Sequence, residues 1–210
     1  MMEILGNFAV FEGGDGSGTS TQIAQLRQKF AEFHAKSPVF FLTAEPTEGS
    51  IGRLIRSALK NDPPVQPDTL ARLFAADRGE HLFARGGIVE RCRRGELVVC
   101  DRYALSSLAY QGIVCGEELP RSLNAPFPAP ELVLFFDIDP CIAQERLYDR
   151  QSLEIYEFAE FQHKVRERYH ALLDEYRNAG VRVAVIDASC SVEKVAAEVW
   201  SEILKMPIMG

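Results

Sequence analysis

Residues Phe8 to Gln22 read FAVFEGGDGSGTSTQ, an apolar strand running through a glycine-rich turn into an amphipathic helix. Glycines this dense let main-chain N–H groups turn inward around an anion, and the helix N-terminus adds the positive end of its dipole. Gly13, Gly18 and Ser20 fall where a G-x-x-x-x-G-K-[ST] phosphate loop places them. The lysine position, however, holds Thr19. Ser20 is placed to offer its hydroxyl to a magnesium ion bridging two phosphates. The cradle and a metal ligand are present, so the missing fixed charge must come from elsewhere.

The rest of the chain repeats the strand-then-helix alternation. Apolar, β-branched runs at Phe8–Phe11, Val39–Thr43, Leu97–Cys100, Leu132–Ile138 and Val181–Ile186 predict strands. Helical periodicity predicts helices over Thr21–Phe33, Gly52–Leu59, Asp68–Arg93, Leu105–Tyr110, Cys141–Leu147, Glu157–Asn178 and Val192–Leu204. Strands apolar on both faces belong to a covered parallel sheet. The expectation is an α/β fold, a doubly wound five-stranded parallel sheet flanked by helices, forming one domain over residues 1–210. Pro67 is placed to open a helix, whereas the proline-rich stretch Pro120 to Pro130 reads as neither helix nor strand.

Composition narrows the partners. A net charge of −7 argues against nucleic acid or an anionic membrane surface, and the basic clusters Arg85–Arg94 and Lys164–Arg168 read as solvated helix faces. Five scattered cysteines show neither a CxxC pair nor a metal-binding spacing, which suits a reducing compartment. No run is apolar over membrane-spanning length. The expectation is a soluble, cytoplasmic protein.

In such sheets ligands bind at the carboxyl ends of the strands. Asp101 and Arg102 follow the third strand, a place for a carboxylate serving a metal shell and a guanidinium clamping phosphoryl oxygens. Phe74 and Arg78 are four apart and share a helix face, one able to stack on a base and the other to bond its edge.

Taken together these segments resemble thymidylate kinase. FEGGDGSGTSTQ (residues 11–22) is similar to that family's FEGxDGxGKSTQ, TAEP (43–46) to its TREP, and LFAADR (73–78) to its LFxAxR. DRYALSSLAYQG (101–112) is close to DRYxxSxxAYQG, and residues 154–169 resemble the end of a mobile lid running into a helix. The resemblance implies a P-loop NTPase fold of the nucleoside monophosphate kinase type, with a lid at about 146–157. It implies transfer of the γ-phosphoryl of ATP to dTMP, with Mg2+ as cofactor and a homodimer packed through helices, for which the apolar Leu70–Leu82 region is available. A nucleotide-binding relative that transfers nothing and a kinase for another deoxypyrimidine monophosphate are the alternatives.

Roles follow residue by residue from the resemblance. Gly13, Gly14, Asp15, Gly16, Ser17, Gly18, Thr19, Ser20 and Thr21 would hold ATP. Asp15, Glu45, Phe74, Arg78, Arg102, Ser106, Tyr110 and Gln111 would hold dTMP, with Asp15 on the 3′-hydroxyl and Tyr110 against the ribose. Ser20 and Asp101 would serve the metal; Arg102, Asp101 and Arg150 would act in catalysis. Three positions where the family carries a cation have none here: Thr19, Ala44 and Ile155. Arg150, with Arg146, is the expected compensation at the lid, and Arg53 and Arg56 lie just beyond Ala44.

Overall fold

The computed structural model describes residues 2–32, 38–147 and 159–210. Among them are five strands: β1 (Ile4–Gly13), β2 (Phe40–Ala44), β3 (Leu97–Asp101), β4 (Ala129–Asp137) and β5 (Arg182–Asp187). All pair in parallel, in the order β2-β3-β1-β4-β5. The helices are α1 (Thr19–Glu32), α2 (Ser50–Leu59), α3 (Pro67–Phe83), α4 (Ile88–Arg93), α5 (Ala104–Val114), α6 (Glu118–Asn124), α7 (Pro140–Leu147), α8 (Ala159–Asn178) and α9 (Val192–Leu204). The predicted α/β class and five-stranded parallel sheet are what is found.

Period-two alternation sorts the sheet's side chains into two cores. Phe8, Val10, Val98, Cys100, Val133 and Phe135 pack on one side with residues of α2, α3, α4, α5 and α8. Ala9, Phe11, Val99, Leu134 and Phe136 pack on the other with residues of α1, α7 and α9. The chain leaves β1 toward β2 on one flank and later crosses to β4 on the other. The loops after β1 and β3 therefore meet where the strand order reverses, the usual crevice for a ligand.

Four expectations need correction. The single helix over Asp68–Arg93 is two, because Ala84 turns extended (ψ 159°) and Gly86 takes φ 75° between α3 and α4. The Gly86-Gly87 pair was the signal for that break. The Pro120–Pro130 stretch contributes most of α6 and the start of β4; Pro120 sits in the first turn of α6, where no N–H donor is needed. β1 begins four residues early, since Asn7 (φ 63°) absorbs a register shift and its N–H bonds Glu131 at 2.7 Å. Leu70 and Leu82 are buried inside the protein, so they are not a free apolar face for a second copy. No helix among the described residues is long and apolar enough to cross a membrane.

Candidate active site

The turn between β1 and α1 lines a cleft of about 500 Å3 with the ends of β3 and α7 and the loop into α9. Two glycines make the turn possible. Gly16 (φ 79°) and Gly18 (φ 89°) occupy left-handed backbone, and a side chain on Gly16 would lie 2.5 Å from the Ala143 carbonyl oxygen of α7. Three buried polar atoms of cleft-lining residues, Ser17 Oγ, Gln22 Oε1 and Asp101 Oδ1, have no hydrogen-bond partner among the described residues. Buried polar atoms are nearly always paired, so this clustering marks a place for a polar ligand. Burial raises the Asp101 carboxyl above its ordinary range, against the charge of Arg102 and the hydroxyls of Thr19 and Ser20. Among the described residues the cations lining the cleft are Arg102 and Arg146, the latter donating to the Ala188 carbonyl at 3.0 Å.

A second, smaller cavity of about 90 Å3 adjoins it. Asp15, Glu45, Phe74, Arg78, Arg102, Ser106, Tyr110 and Gln111 all line it, so the structure brings together every residue expected for the acceptor. Gln111 is buried, and its Oε1 has no hydrogen-bond partner among the described residues. Asp15 and Arg102 line both cavities. Arg102 stands in left-handed backbone (φ 64°), held by its N–H to the Phe11 carbonyl at 2.9 Å. Its guanidinium reaches Asp15 Oδ1 at 2.5 Å and the Gly13 carbonyl at 3.2 Å, and lies 5.4 Å from the centre of the Tyr110 ring. Gln162 of α8 holds the other Asp15 oxygen at 2.8 Å.

Arg78 is more deeply tied than the sequence suggests. It is fully buried and donates to Glu45 Oε2 (2.8 and 2.7 Å), to Ser107 Oγ (3.1 Å) and to Asn124 Oδ1. Glu45 also takes His81 at 3.1 Å, whose other ring nitrogen meets Thr43 at 2.6 Å. Asp77 fastens the neighbouring turn by accepting from the N–H and hydroxyl of Thr47 at 2.7 and 2.6 Å. Arg53 and Arg56 do not face either cavity; they bond carbonyls of residues 46–48. Arg150, Ile155 and residues 148–157 of the expected lid lie outside the described residues.

Sequence reasoning missed Glu12. It is completely buried, and its carboxylate accepts from Tyr103 N–H (2.9 Å), Ser106 N–H (3.4 Å), Ser106 Oγ (2.6 Å) and Tyr169 Oη (2.9 Å). One carboxyl group thus fixes the start of α5 to β1 and α8. Burial pushes its carboxyl up to about 7, the hydroxyls and the two arginines Arg102 and Arg78 pulling back. A raised acid pKa means the folded state holds a proton that the unfolded chain has released. Stability from Glu12 is therefore full below about pH 4.5 and lost as pH rises to about 7. Urea denaturation of Glu12→Gln against the parent, from pH 4.5 to 8, should show the parent losing about 3 kcal/mol relative to the variant. Parallel curves would refute this.

A parallel sheet whose first strand feeds a phosphate loop, with an arginine between that loop and a second pocket, is the architecture of a P-loop phosphotransferase. The family model described as thymidylate kinase matches residues 11–199. A Treponema pallidum protein, named provisionally as a thymidylate kinase, is 42% identical over 92% of this chain and 93% of its own. A probable thymidylate kinase of Pyrobaculum aerophilum is 41% identical, covering 94% and 96% of the two chains, and a thymidylate kinase of Geobacillus sp. is 37% identical over 91% and 93%. The chain belongs to the thymidylate kinase family.

Proposed function

We propose that the protein is a dTMP kinase: a dTMP phosphate oxygen attacks the γ-phosphorus of ATP, the bond to the β–γ bridging oxygen breaks, and dTDP and ADP leave. One observation carries this reading, the Arg102–Asp15 pair that faces both cavities. In it, main-chain amides of Gly13 to Thr21 hold the ATP phosphates in the larger cleft, and the acceptor's phosphate meets Arg102 from the smaller one. Phosphoryl transfer asks chiefly for alignment and charge neutralisation, which a planar guanidinium between two phosphates supplies. Phe74 stacks on the thymine. Gln111 offers its unpartnered oxygen to the base, and Arg78 holds Glu45 and the pocket wall in shape while facing the same base. Asp15 accepts the sugar hydroxyl, and Tyr110 excludes a 2′-hydroxyl.

Ser20 and the unpartnered oxygen of Asp101 suit a hard, oxygen-seeking ion, and Mg2+ held there would screen the charge shared by the two phosphates. With Thr19 uncharged, Arg102 and Arg146 are the described cations that offset the remaining charge, with Arg150 proposed as a third. Cytoplasmic residence and a homodimer belong to the same reading; for the latter, Phe83 at the end of α3 is 59% exposed, and light scattering checks it.

The test is ADP release with ATP, magnesium and dTMP, run beside dUMP, dCMP and AMP. Turnover with dTMP well above the others is expected. Binding of dTMP without ADP release would replace this reading with a non-catalytic one, and preference for dUMP or dCMP would reassign the acceptor.

A further inference from the structure

We propose that Asp139, Cys141 and His163 form a binding site for a soft divalent metal ion, zinc by chemical class, separate from the nucleotide cavities. Asp139 and Cys141 stand where β4 passes into α7, and His163 lies on α8, 22 residues further along. One ligand atom from each lies within 4.8 Å of the others, and Cys141 Sγ is 4.0 Å from His163 Nε2. Zinc bonds of 2.0 to 2.3 Å at tetrahedral angles set sulfur and nitrogen ligands about 3.5 Å apart. Closing the observed gap asks about half an ångström, well within side-chain rotation. Cys141 and His163 are exposed, so an ion in solution reaches them directly.

The surroundings prepare the site. Asp139 Oδ1 accepts the Cys141 N–H at 2.8 Å, which fixes the carboxylate beside the thiol. Zinc is held by a thiolate, so loading the site must release the Cys141 proton. Arg166, the nearby cation, is paired with Asp137 at 2.6 and 3.0 Å and opposes a bound ion only weakly.

A thiolate, an imidazole and a carboxylate with one open position select zinc, cobalt or cadmium over magnesium, which prefers oxygen ligands throughout. The site therefore does not compete with the ATP-bound ion, and none of its three residues lines the nucleotide cleft or the acceptor pocket. Among the described residues the other cluster of this kind, Glu45 with His81 and Cys100, is largely buried and already engaged by Arg78 and Thr43. Metal at the exposed site would tie the start of α7 to α8.

Cobalt titration of the reduced, EDTA-stripped full chain tests this. A thiolate-to-cobalt charge-transfer band should saturate at one ion per chain and bleach on adding equimolar zinc. Cys141→Ser should abolish the band, His163→Ala and Asp139→Asn should each weaken cobalt binding about tenfold or more, and Cys190→Ser should leave it intact. Zinc should raise the melting temperature of the parent and not of Cys141→Ser, whose metal-free melt checks its folding. Absence of a saturable band, its survival in Cys141→Ser, or unchanged affinity in both other variants would overturn the proposal.

Discussion

Replacing Arg102 with Ala should lower kcat by about three decades or more at saturating ATP, magnesium and dTMP. The arginine stands where the two cavities meet, its main chain bonded to Phe11 and its fork held by Asp15 and the Gly13 carbonyl, so the fork is aimed by the fold and not by a free rotor. In a loop with a lysine at position 19 the transition-state charge would be divided among more cations. Here Thr19 leaves Arg102 a larger share, and a guanidinium acting on a transferring phosphoryl group is worth on the order of 10³–10⁵ in rate. Alanine at φ 64° is no more strained than arginine, so the melting temperature should move little. Arg102→Lys keeps the charge without the bidentate fork and should fall between the two. Retention of kcat within tenfold in Arg102→Ala, measured by ADP release, would remove Arg102 from the chemistry.

Arg78→Ala should cost stability as well as acceptor binding. The substitution leaves Glu45 buried without its counter-charge and strips partners from Ser107 and Asn124. Breaking one side of a buried ion pair costs about 3–5 kcal/mol, because the surviving charge cannot return to water. Adding Glu45→Gln should recover part of that loss, since the stranded charge is then gone, while dTMP affinity stays low. A double-mutant cycle by urea denaturation separates the terms. If Arg78→Ala loses less than about 1 kcal/mol, or if Glu45→Gln only adds to the damage, the pair is not what holds the pocket wall.

Much of this architecture was legible in the residues alone, for identifiable physical reasons. A sheet covered on both faces makes its strands continuously apolar, so all five stood out, and the phosphate loop announces itself through glycines that only a tight turn requires. The lining of the smaller cavity was legible because Phe74 and Arg78 share a helix face and because Asp101 to Gln111 form one contiguous stretch. What stayed hidden depends on contacts distant in the chain. Glu12 looked like the first residue of a loop, but its partners lie 91, 94 and 157 residues away. Arg78 read as a base contact from its place on the helix, whereas its bonds to Glu45, Ser107 and Asn124 show it as a strut within the wall. The same limit concealed the grouping of Asp139 with Cys141 and His163, since no local spacing signals a ligand arriving from another helix. Within the helices, periodicity carried across Gly86-Gly87 and concealed a break that the glycines themselves encode.

Because one arginine and one aspartate face both chambers, ATP and dTMP bound as proposed should be thermodynamically linked. The expectation is that whichever arrives first loosens the bond between Arg102 and Asp15, leaving the second to dock on groups already released. The factor by which ATP tightens dTMP must then equal the factor by which dTMP tightens ATP, a reciprocity that holds whatever the order of arrival.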